Sequence, residues 1–247
     1  MARYFIELSY RGTNYSGFQS QKNTEHTIQA ELEKAFDILQ KDKINLIGSS
    51  RTDAGVHALQ NYFHFDFTGE IHPQFVYKIN AILPADIVVK NIIKVSAEAH
   101  CRFDAVSREY KYFIYGKKNP FLQDRAFYFP YKTDIGKLKE AANIIKEYTD
   151  FTSFSKRNTQ VKTFQCSVVE SEWVFEDDCL VYHVKANRFL RGMVRALTAT
   201  MLKAGRNKTT IEEFRKIIEL KDCTQASFAV PARGLFLVGV EYPADYF

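Results

Sequence analysis

One short loop carries the residues of this chain that are best suited to chemistry. It covers residues 48–57 (GSSRTDAGVH) and places one carboxylate, Asp53, among small residues, with Arg51 just before it. Gly55 allows the backbone to turn, and the small neighbours allow a substrate to approach the acid closely. Asp53 is therefore a candidate nucleophile or general base. The alternative is that Asp53 only accepts hydrogen bonds within its own turn, as loop aspartates commonly do.

A run of basic residues in the second half of the chain is suited to phosphate binding. The formal net charge is +5, and residues 179–211 contain no acid. The basic residues in this run are Lys185, Arg188, Arg191, Arg195, Lys203, Arg206 and Lys208. A surface of one sign favours a phosphate backbone as partner, because exposed helices usually mix charges. A solvated basic helix face is the alternative.

Three of these arginines fall on a predicted helix over residues 187–205. Arg188, Arg191 and Arg195 follow one another at steps of three and four residues, which predicts that they line one helix face. Such a row either contacts successive phosphates or turns one arginine inwards to pair with a buried acid. Arg195 lies next to the apolar half of the helix, so we expect it to face inwards and keep a shielded Asp53 ionised.

Two tyrosines alternate on a predicted strand over residues 109–116. Tyr110 and Tyr112 have Arg108 and Lys111 beside them. A tyrosine ring stacks well on an extruded base, and its hydroxyl can donate or accept a proton. The alternative is that both rings fill a sheet face, which is where aromatic residues usually lie.

The sequence lacks the common signatures of cofactor and metal sites. It has no P-loop, dinucleotide fingerprint or metal-binding helix motif, and its four cysteines show neither C-x-x-C spacing nor a histidine at ligand spacing. We therefore expect a reaction without cofactor or metal. No leader pattern and no apolar run of membrane-span length is seen, which predicts a cytoplasmic protein.

Hydrophobic periodicity predicts the elements that must position these residues. In the first half we expect strands over residues 3–10, 44–47, 61–67 and 86–95, a helix from Thr24 or Thr27 to residue 40, and a helix between residues 72 and 84. This β-α-β-β-α-β order is the ferredoxin-like plan. The long loop of residues 11–21 between the first strand and helix is a candidate functional loop.

The second half repeats a similar order. We expect strands over residues 109–116, 161–174, 180–186 and 234–242, helices over residues 135–148 and 187–205, and a helix that begins at the capping box of Thr210 and Glu213. The predicted fold is α+β, with two ferredoxin-like halves, residues 1–104 and 105–247, that share a largely antiparallel sheet with flanking helices.

Several blocks of the sequence, in order along almost the whole chain, resemble the tRNA pseudouridine synthase A family. They are YRGTNYSGFQSQ with TIQAELEKAF, GSSRTDAGVHA, INAILPADI, FDAVSREYKYFIYG, DFTSF, ANRFLRGMVRALTATMLKAGR and ARGLFLVGVEYP. The RTDAGVHA block is the most specific of them. The resemblance implies the pseudouridine synthase fold and an isomerase that converts uridine to pseudouridine in the anticodon arm of tRNA, without cofactor or metal.

The resemblance also implies roles for single residues. Asp53 matches the family's catalytic aspartate, Arg51 the arginine that helps to displace the target base, Tyr110 the active-site tyrosine, and Arg195 the arginine that pairs with the aspartate. Family members form homodimers whose positive clefts hold the tRNA. This chain departs from the family pattern at Ser50, where glycine is usual, and at Phe18, where tryptophan is usual.

Two other classes of function fit parts of the pattern. A non-catalytic RNA-binding protein or a tRNA-folding chaperone would use the basic run and the aromatic strands equally well, although it would not need Asp53 on a small-residue loop. A hydrolase with Asp53 as its base is a weaker alternative, because no second carboxylate lies at a useful spacing.

Overall fold

The computed structural model describes residues 1–21, 24, 26–40, 44–157, 161–244 and 246–247. These residues contain nine β-strands and five α-helices, so the predicted α+β class is confirmed. They divide into two compact units, the first formed by residues 1–106 with 236–247 and the second by residues 107–235. Within this described part, no helix is both long and apolar enough to cross a membrane.

The strands and helices have the following bounds. The strands are β1 (Ala2–Tyr10), β2 (Ile47–Gly48), β3 (His57–Phe67), β4 (Ile87–Val95), β5 (Ser107–Tyr115), β6 (Phe127–Tyr128), β7 (Val168–Glu176), β8 (Cys179–Ala186) and β9 (Leu235–Glu241). The helices are α1 (Ile28–Gln40), α2 (Phe75–Ile82), α3 (Ile135–Ile145), α4 (Met193–Gly205) and α5 (Ile211–Glu219).

The first unit has the predicted β-α-β-β-α-β order. Its strands lie in the order β4-β1-β3-β9, with β2 paired to β3. β1 is antiparallel to both β3 and β4, and β9 is parallel to β3. The Thr27 hydroxyl accepts a hydrogen bond from the Ala30 amide at 3.1 Å, so Thr27 caps α1.

Alternation along β1 divides the core of the first unit between the two faces of the sheet. On one face Phe65 contacts Tyr4 of β1, and Phe36 of α1 lies edge-on to Phe65 at 5.1 Å between ring centroids. On the other face Phe5 contacts Tyr242, with ring centroids 5.4 Å apart. The last residues of the chain therefore cover the face of the sheet that the helices leave open.

In the second unit β8 lies between β5 and β7 and is antiparallel to both, while the short β6 is parallel to β5. Helix α4 is almost wholly buried, and the Trp173 indole of β7 donates to the Met201 sulfur of α4 at 3.4 Å. The predicted capping box is confirmed, because the Thr210 and Glu213 side chains each bond the other's backbone amide.

Two elements of the second unit begin at least six residues later than predicted. Helix α4 begins at Met193 and not at residue 187, because Gly192 has a left-handed backbone with φ of 76°. Arg188 and Arg191 precede the helix, so the predicted arginine row on one helix face does not exist. The strand predicted over residues 161–174 begins only at Val168, where pairing with β8 starts. The segment before it bonds elsewhere, as the Cys166 amide does to the Thr149 carbonyl.

Candidate active site

Asp53 lies on an excursion between β2 and β3, residues 49–56, which we call the Asp53 loop. The loop is joined to β3 where it leaves β2, because the Ser49 amide donates to the Tyr62 carbonyl at 2.8 Å. It closes in a tight turn, in which the Val56 amide donates to the Asp53 carbonyl at 3.2 Å and Gly55 has φ of 78°. Glycine takes such a backbone without strain because it has no Cβ.

Thr52 holds the Asp53 loop to the segment that follows β1. The Tyr10 and Thr52 hydroxyls are 2.7 Å apart, and the Phe18 amide donates to the Thr52 carbonyl at 3.1 Å. Thr52 is thus fixed through both its side chain and its backbone. This fixes the positions of its two neighbours, the exposed Arg51 and the half-buried Asp53.

The loop of residues 11–21, which provides Phe18, is itself anchored near the start of β4. The Asp86 carboxylate accepts hydrogen bonds from the Tyr15 hydroxyl at 2.5 Å and from the Asn14 amide at 3.2 Å. Close packing adds to this anchoring, because a Cβ at Gly12 would lie 1.9 Å from the Val56 carbonyl oxygen. The loop of residues 11–21 is therefore fixed at Asp86 and packed against the Asp53 loop at Val56.

A buried polar group lies beneath the Asp53 loop. The Asn61 side-chain amide donates to the Ser50 carbonyl at 2.9 Å and to the Tyr10 hydroxyl at 3.1 Å. The Ser50 hydroxyl is buried and has no hydrogen-bond partner among the described residues. Asn61 therefore links the start of the Asp53 loop to the tyrosine that holds Thr52.

Phe18 belongs to the core of the first unit. Its ring is buried and stacks on Phe63 with centroids 4.3 Å apart and planes 10° from parallel. Phe18, which stands where the family usually has tryptophan, therefore supports the candidate site from the core and does not expose its ring at the surface.

The two tyrosines of β5 have different surroundings. Tyr112 is fully buried, and its hydroxyl donates to the Pro231 carbonyl at 2.6 Å. Burial raises the pKa of the Tyr112 hydroxyl above its ordinary value. Tyr110 is half-buried, and its ring meets Phe189 edge-on at 5.0 Å between centroids. Tyr112 is thus a core residue, and Tyr110 is the tyrosine with an accessible side chain.

The three predicted arginines all lie in the second unit but on different structures. Arg195 is in the first turn of α4, and its Nε and Nη2 atoms donate to the Val230 carbonyl at 3.0 and 2.7 Å. Arg188 and Arg191 lie on the segment before α4, the segment that also carries Phe189 against Tyr110. Arg191 is exposed. The pairing of Arg195 with Asp53 stays a prediction.

The first unit also contains a cleft beside the Asp53 loop that sequence patterns did not indicate. It has a volume of about 320 Å³, and Arg51, His100, Arg102 and Phe103 are among its lining residues. Sequence patterns could not indicate this cleft, because an arginine next to a phenylalanine in a loop is common. Only the structure shows that the Phe103 ring is exposed. In the described part of the chain, no group of three or more His, Cys, Asp or Glu side chains is arranged to hold a metal ion.

Comparison with known proteins gives one consistent result. The family model described as tRNA pseudouridine synthase matches residues 8–104 and 148–243. A protein from Parabacteroides distasonis, named tRNA pseudouridine synthase A, is 44% identical over 249 residues, which are 100% of this chain and 98% of the relative. Proteins of the same name from Bacteroides thetaiotaomicron and Staphylococcus aureus (strain Newman) are 44% and 37% identical, over 100% and 95% of this chain and 93% and 89% of the relatives.

The matched regions include the Asp53 loop, the segment before α4 and the first turn of α4. The similarity thus extends over the candidate site and over nearly the full length of each relative. The chain belongs to the tRNA pseudouridine synthase family.

Proposed function

We propose that this protein isomerises uridine to pseudouridine in the anticodon arm of tRNA, with Asp53 as its catalytic residue. The observation that carries the proposal is the position of Asp53. It is half-buried next to Thr52, which hydrogen bonds fix through both its hydroxyl and its carbonyl. A carboxylate held in this way can meet a ribose at a defined distance and angle, which is a large part of what catalysis requires.

The reaction breaks the C1′–N1 bond of uridine, turns the uracil without releasing it, and forms a C1′–C5 bond, after which a proton leaves C5. Asp53 acts at the ribose, either as a nucleophile at C1′ or as a base at C2′. The atoms of uridine are conserved, so neither a redox cofactor nor a second substrate is needed. Tyr110 or Asp53 takes the proton from C5.

The target uridine must first leave the stack, because its reacting atoms are inaccessible there. Arg51 is exposed on the Asp53 loop, and we assign it to the space that the flipped base vacates. Tyr110 stacks on the extruded uracil, and Arg195 offsets the cost of shielding the Asp53 carboxylate from water. Arg188 and Arg191 bind phosphates of the RNA, and the protein acts in the cytoplasm as a homodimer.

A non-catalytic RNA-binding protein would not require this support of Asp53. Its basic and aromatic surfaces would be sufficient for binding, whereas here Tyr10, Phe18 and Asn61 all contribute to holding the Asp53 loop. The family relationship also weighs towards the enzyme, since the relatives described above bear the name of a synthase.

The test is replacement of Asp53 by Asn, which keeps the shape of the side chain and removes its charge. Isomerisation, measured as release of tritium from C5 of uridine in unmodified tRNA, should fall at least about 10³-fold, the upper range for loss of a positioned acid or base. Binding of the tRNA should remain within about twofold, because the change removes no contact to phosphate.

The control is Asp37→Asn, which removes an exposed carboxylate from α1 and should leave both quantities unchanged. Near-native tritium release by Asp53→Asn would exclude Asp53 as the catalytic group. If native protein binds tRNA but releases no tritium from any tRNA, the non-catalytic alternative is correct.

A further inference from the structure

We propose that the cleft beside the Asp53 loop binds a second nucleotide of the RNA, next to the target uridine, with its base stacked on Phe103 and its phosphate bound by Arg102. The inference rests on the proposed function, since it concerns the RNA that the enzyme modifies. It adds a binding site on the first unit that is separate from the position of the flipped base.

The charge of the cleft favours an anion. Arg51 and Arg102 both line it and are both exposed, and none of the described residues that line it is acidic. The positive charge of these two guanidinium groups favours a phosphate in the cleft, and the Arg102 guanidinium can donate paired hydrogen bonds to its oxygens. Because Arg51, which lines the cleft, is also part of the Asp53 loop, a nucleotide bound in the cleft lies close to the target uridine.

The aromatic side chain of the cleft is suited to stacking. Phe103 is 74% exposed, although burial of a phenylalanine ring is favourable by about 1.5–3 kcal/mol. The His100 ring packs against it with centroids 4.2 Å apart and planes tilted by 36°, and the Arg102 guanidinium lies over the ring, 5.7 Å from its centroid. An exposed ring between a histidine and an arginine matches the stacking platforms of proteins that bind single-stranded nucleic acid.

The turn that carries Phe103 is held in place without a ligand. The His100 Nδ1 atom accepts hydrogen bonds from the Arg102 and Phe103 amides at 3.2 and 3.4 Å. The His100 amide in turn donates to the Asp104 carboxylate at 2.7 Å, and the Tyr246 hydroxyl donates to the same carboxylate. The ring is therefore pre-organised, so that a base stacking on it orders little of the protein.

Size and polarity favour a single nucleotide as the occupant. The cleft volume of about 320 Å³ lies near the lower end of the range of roughly 300–1,000 Å³ for ligand sites, which is too small for a duplex. The exposed amide side chains of Gln19 and Asn45 also line it. Amides both donate and accept hydrogen bonds, so they can meet the edge of a base while Phe103 contacts its face.

The direct test places a fluorescent reporter at the platform. In Phe103→Trp the only native tryptophan, Trp173, is 1% exposed and gives a constant background. An anticodon stem-loop RNA with unmodified uridines should quench the introduced tryptophan saturably. The matched control is Phe121→Trp in the second unit, where the ring is 78% exposed, and its emission should not change.

Both proteins also carry Asp53→Asn, so the readout is binding and does not require turnover. In an otherwise native background, Phe103→Ala should weaken binding of the stem-loop about tenfold, as alanine does at other stacking positions. Arg102→Ala should weaken binding and lower the slope of log K against log salt by about one. Phe103 and Arg102 are exposed, so neither change removes a core contact.

The outcomes distinguish failure of the cleft proposal from failure of the proposed function. Quenching of Phe103→Trp without quenching of Phe121→Trp supports nucleotide binding in the cleft, even if no tritium is released from C5. An unquenched Phe103→Trp protein that binds the RNA with native affinity overturns the cleft and leaves the synthase reaction in place. A native chain that binds no stem-loop RNA overturns both.

Discussion

The Phe18 ring occupies the space in which a side chain at Gly48 would lie. A Cβ at Gly48 would be 2.3 Å from Phe18 Cε1, far closer than carbon atoms approach. Gly48 precedes the Asp53 loop, and the Phe18 amide bonds Thr52 within it. The absence of a side chain at Gly48 therefore allows Phe18 to support the loop that carries Asp53.

We predict that Gly48→Ala both destabilises the protein and slows catalysis. The added methyl must displace the Phe18 ring, and overpacking of this kind costs about 1–3 kcal/mol of unfolding free energy. Movement of Phe18 also disturbs its bond to Thr52, so kcat should fall more than KM rises. Urea denaturation and steady-state tritium release measure the two effects.

The control for this prediction is Gly116→Ala in the second unit. A Cβ there would lie 4.0 Å from its nearest neighbour, the Phe129 carbonyl oxygen, which is ordinary contact. It should leave stability and kcat close to native. Equal behaviour of the two variants would show that the Gly48 contact has no role.

A second prediction concerns the hydroxyl that holds Thr52. Tyr10→Phe removes a group that lies 2.7 Å from the Thr52 hydroxyl and accepts from the Asn61 amide at 3.1 Å. Buried polar groups that lose a partner cost about 1–3 kcal/mol, so stability should fall by this order and kcat should fall with it. Tyr4→Phe, on the same strand, is the control and should keep the native kcat. A Tyr10→Phe enzyme with native kcat would mean that Thr52 is positioned without this bond.

How much of this structure could be predicted depends on whether a feature is local. The element order of the first unit follows from periodicity, because β1 alternates and α1 repeats its buried residues at helical spacing. The start of α4 could not be placed in this way. Leu190 and Met193 are both buried, so the apolar pattern continues through the break at Gly192, and a glycine within a helical pattern is not by itself a break.

The candidate site likewise combines features that are local in sequence with features that depend on distant residues. Asp53 and the turn at Gly55 could be identified from residue types, because their roles are set within one loop. The support from Tyr10, Phe18 and Asn61 could not, since it joins residues far apart in sequence.

At the end of α4 the predicted stop at Gly205 is correct, yet the left-handed residue is Asn207, with φ of 58°. Gly205 is instead required by space, since a Cβ would lie 2.7 Å from the Thr133 methyl group.

A third prediction tests phosphate binding by the segment before α4. Arg191 is exposed there, and the Lys156 amide holds its carbonyl at 3.0 Å. Arg191→Ala should weaken tRNA binding and reduce the salt slope by about one counterion. Lys34→Ala removes an exposed cation from α1 and should leave the slope unchanged. An unaltered slope for Arg191→Ala would exclude a phosphate contact at this residue.

The last prediction concerns a buried histidine in the first unit and the pH dependence of stability. The His64 Nδ1 atom is 3.2 Å from the Cys101 sulfur and accepts from the Cys101 amide at 3.4 Å. Burial, together with the nearby His100 and Arg3, lowers the pKa of His64 to about 4. The folded protein therefore keeps His64 neutral in a range of pH where the unfolded chain binds a proton.

The sign of the effect follows from this difference. Between pH 6.5, the ordinary pKa, and about 4, the unfolded state binds more protons, so the free energy of unfolding falls as the pH is lowered. The contribution of His64 is complete above this window and is lost through it, by about 3 kcal/mol in all at roughly 1.4 kcal/mol per pKa unit. His64→Asn supplies an acceptor oxygen near the Nδ1 position but cannot titrate. Urea denaturation at about pH 7 and about pH 4.5 measures the loss of unfolding free energy as the pH is lowered through this window. The loss should be smaller for His64→Asn than for the native chain. An equal loss for both proteins would mean that the acid sensitivity of this unit arises from other groups.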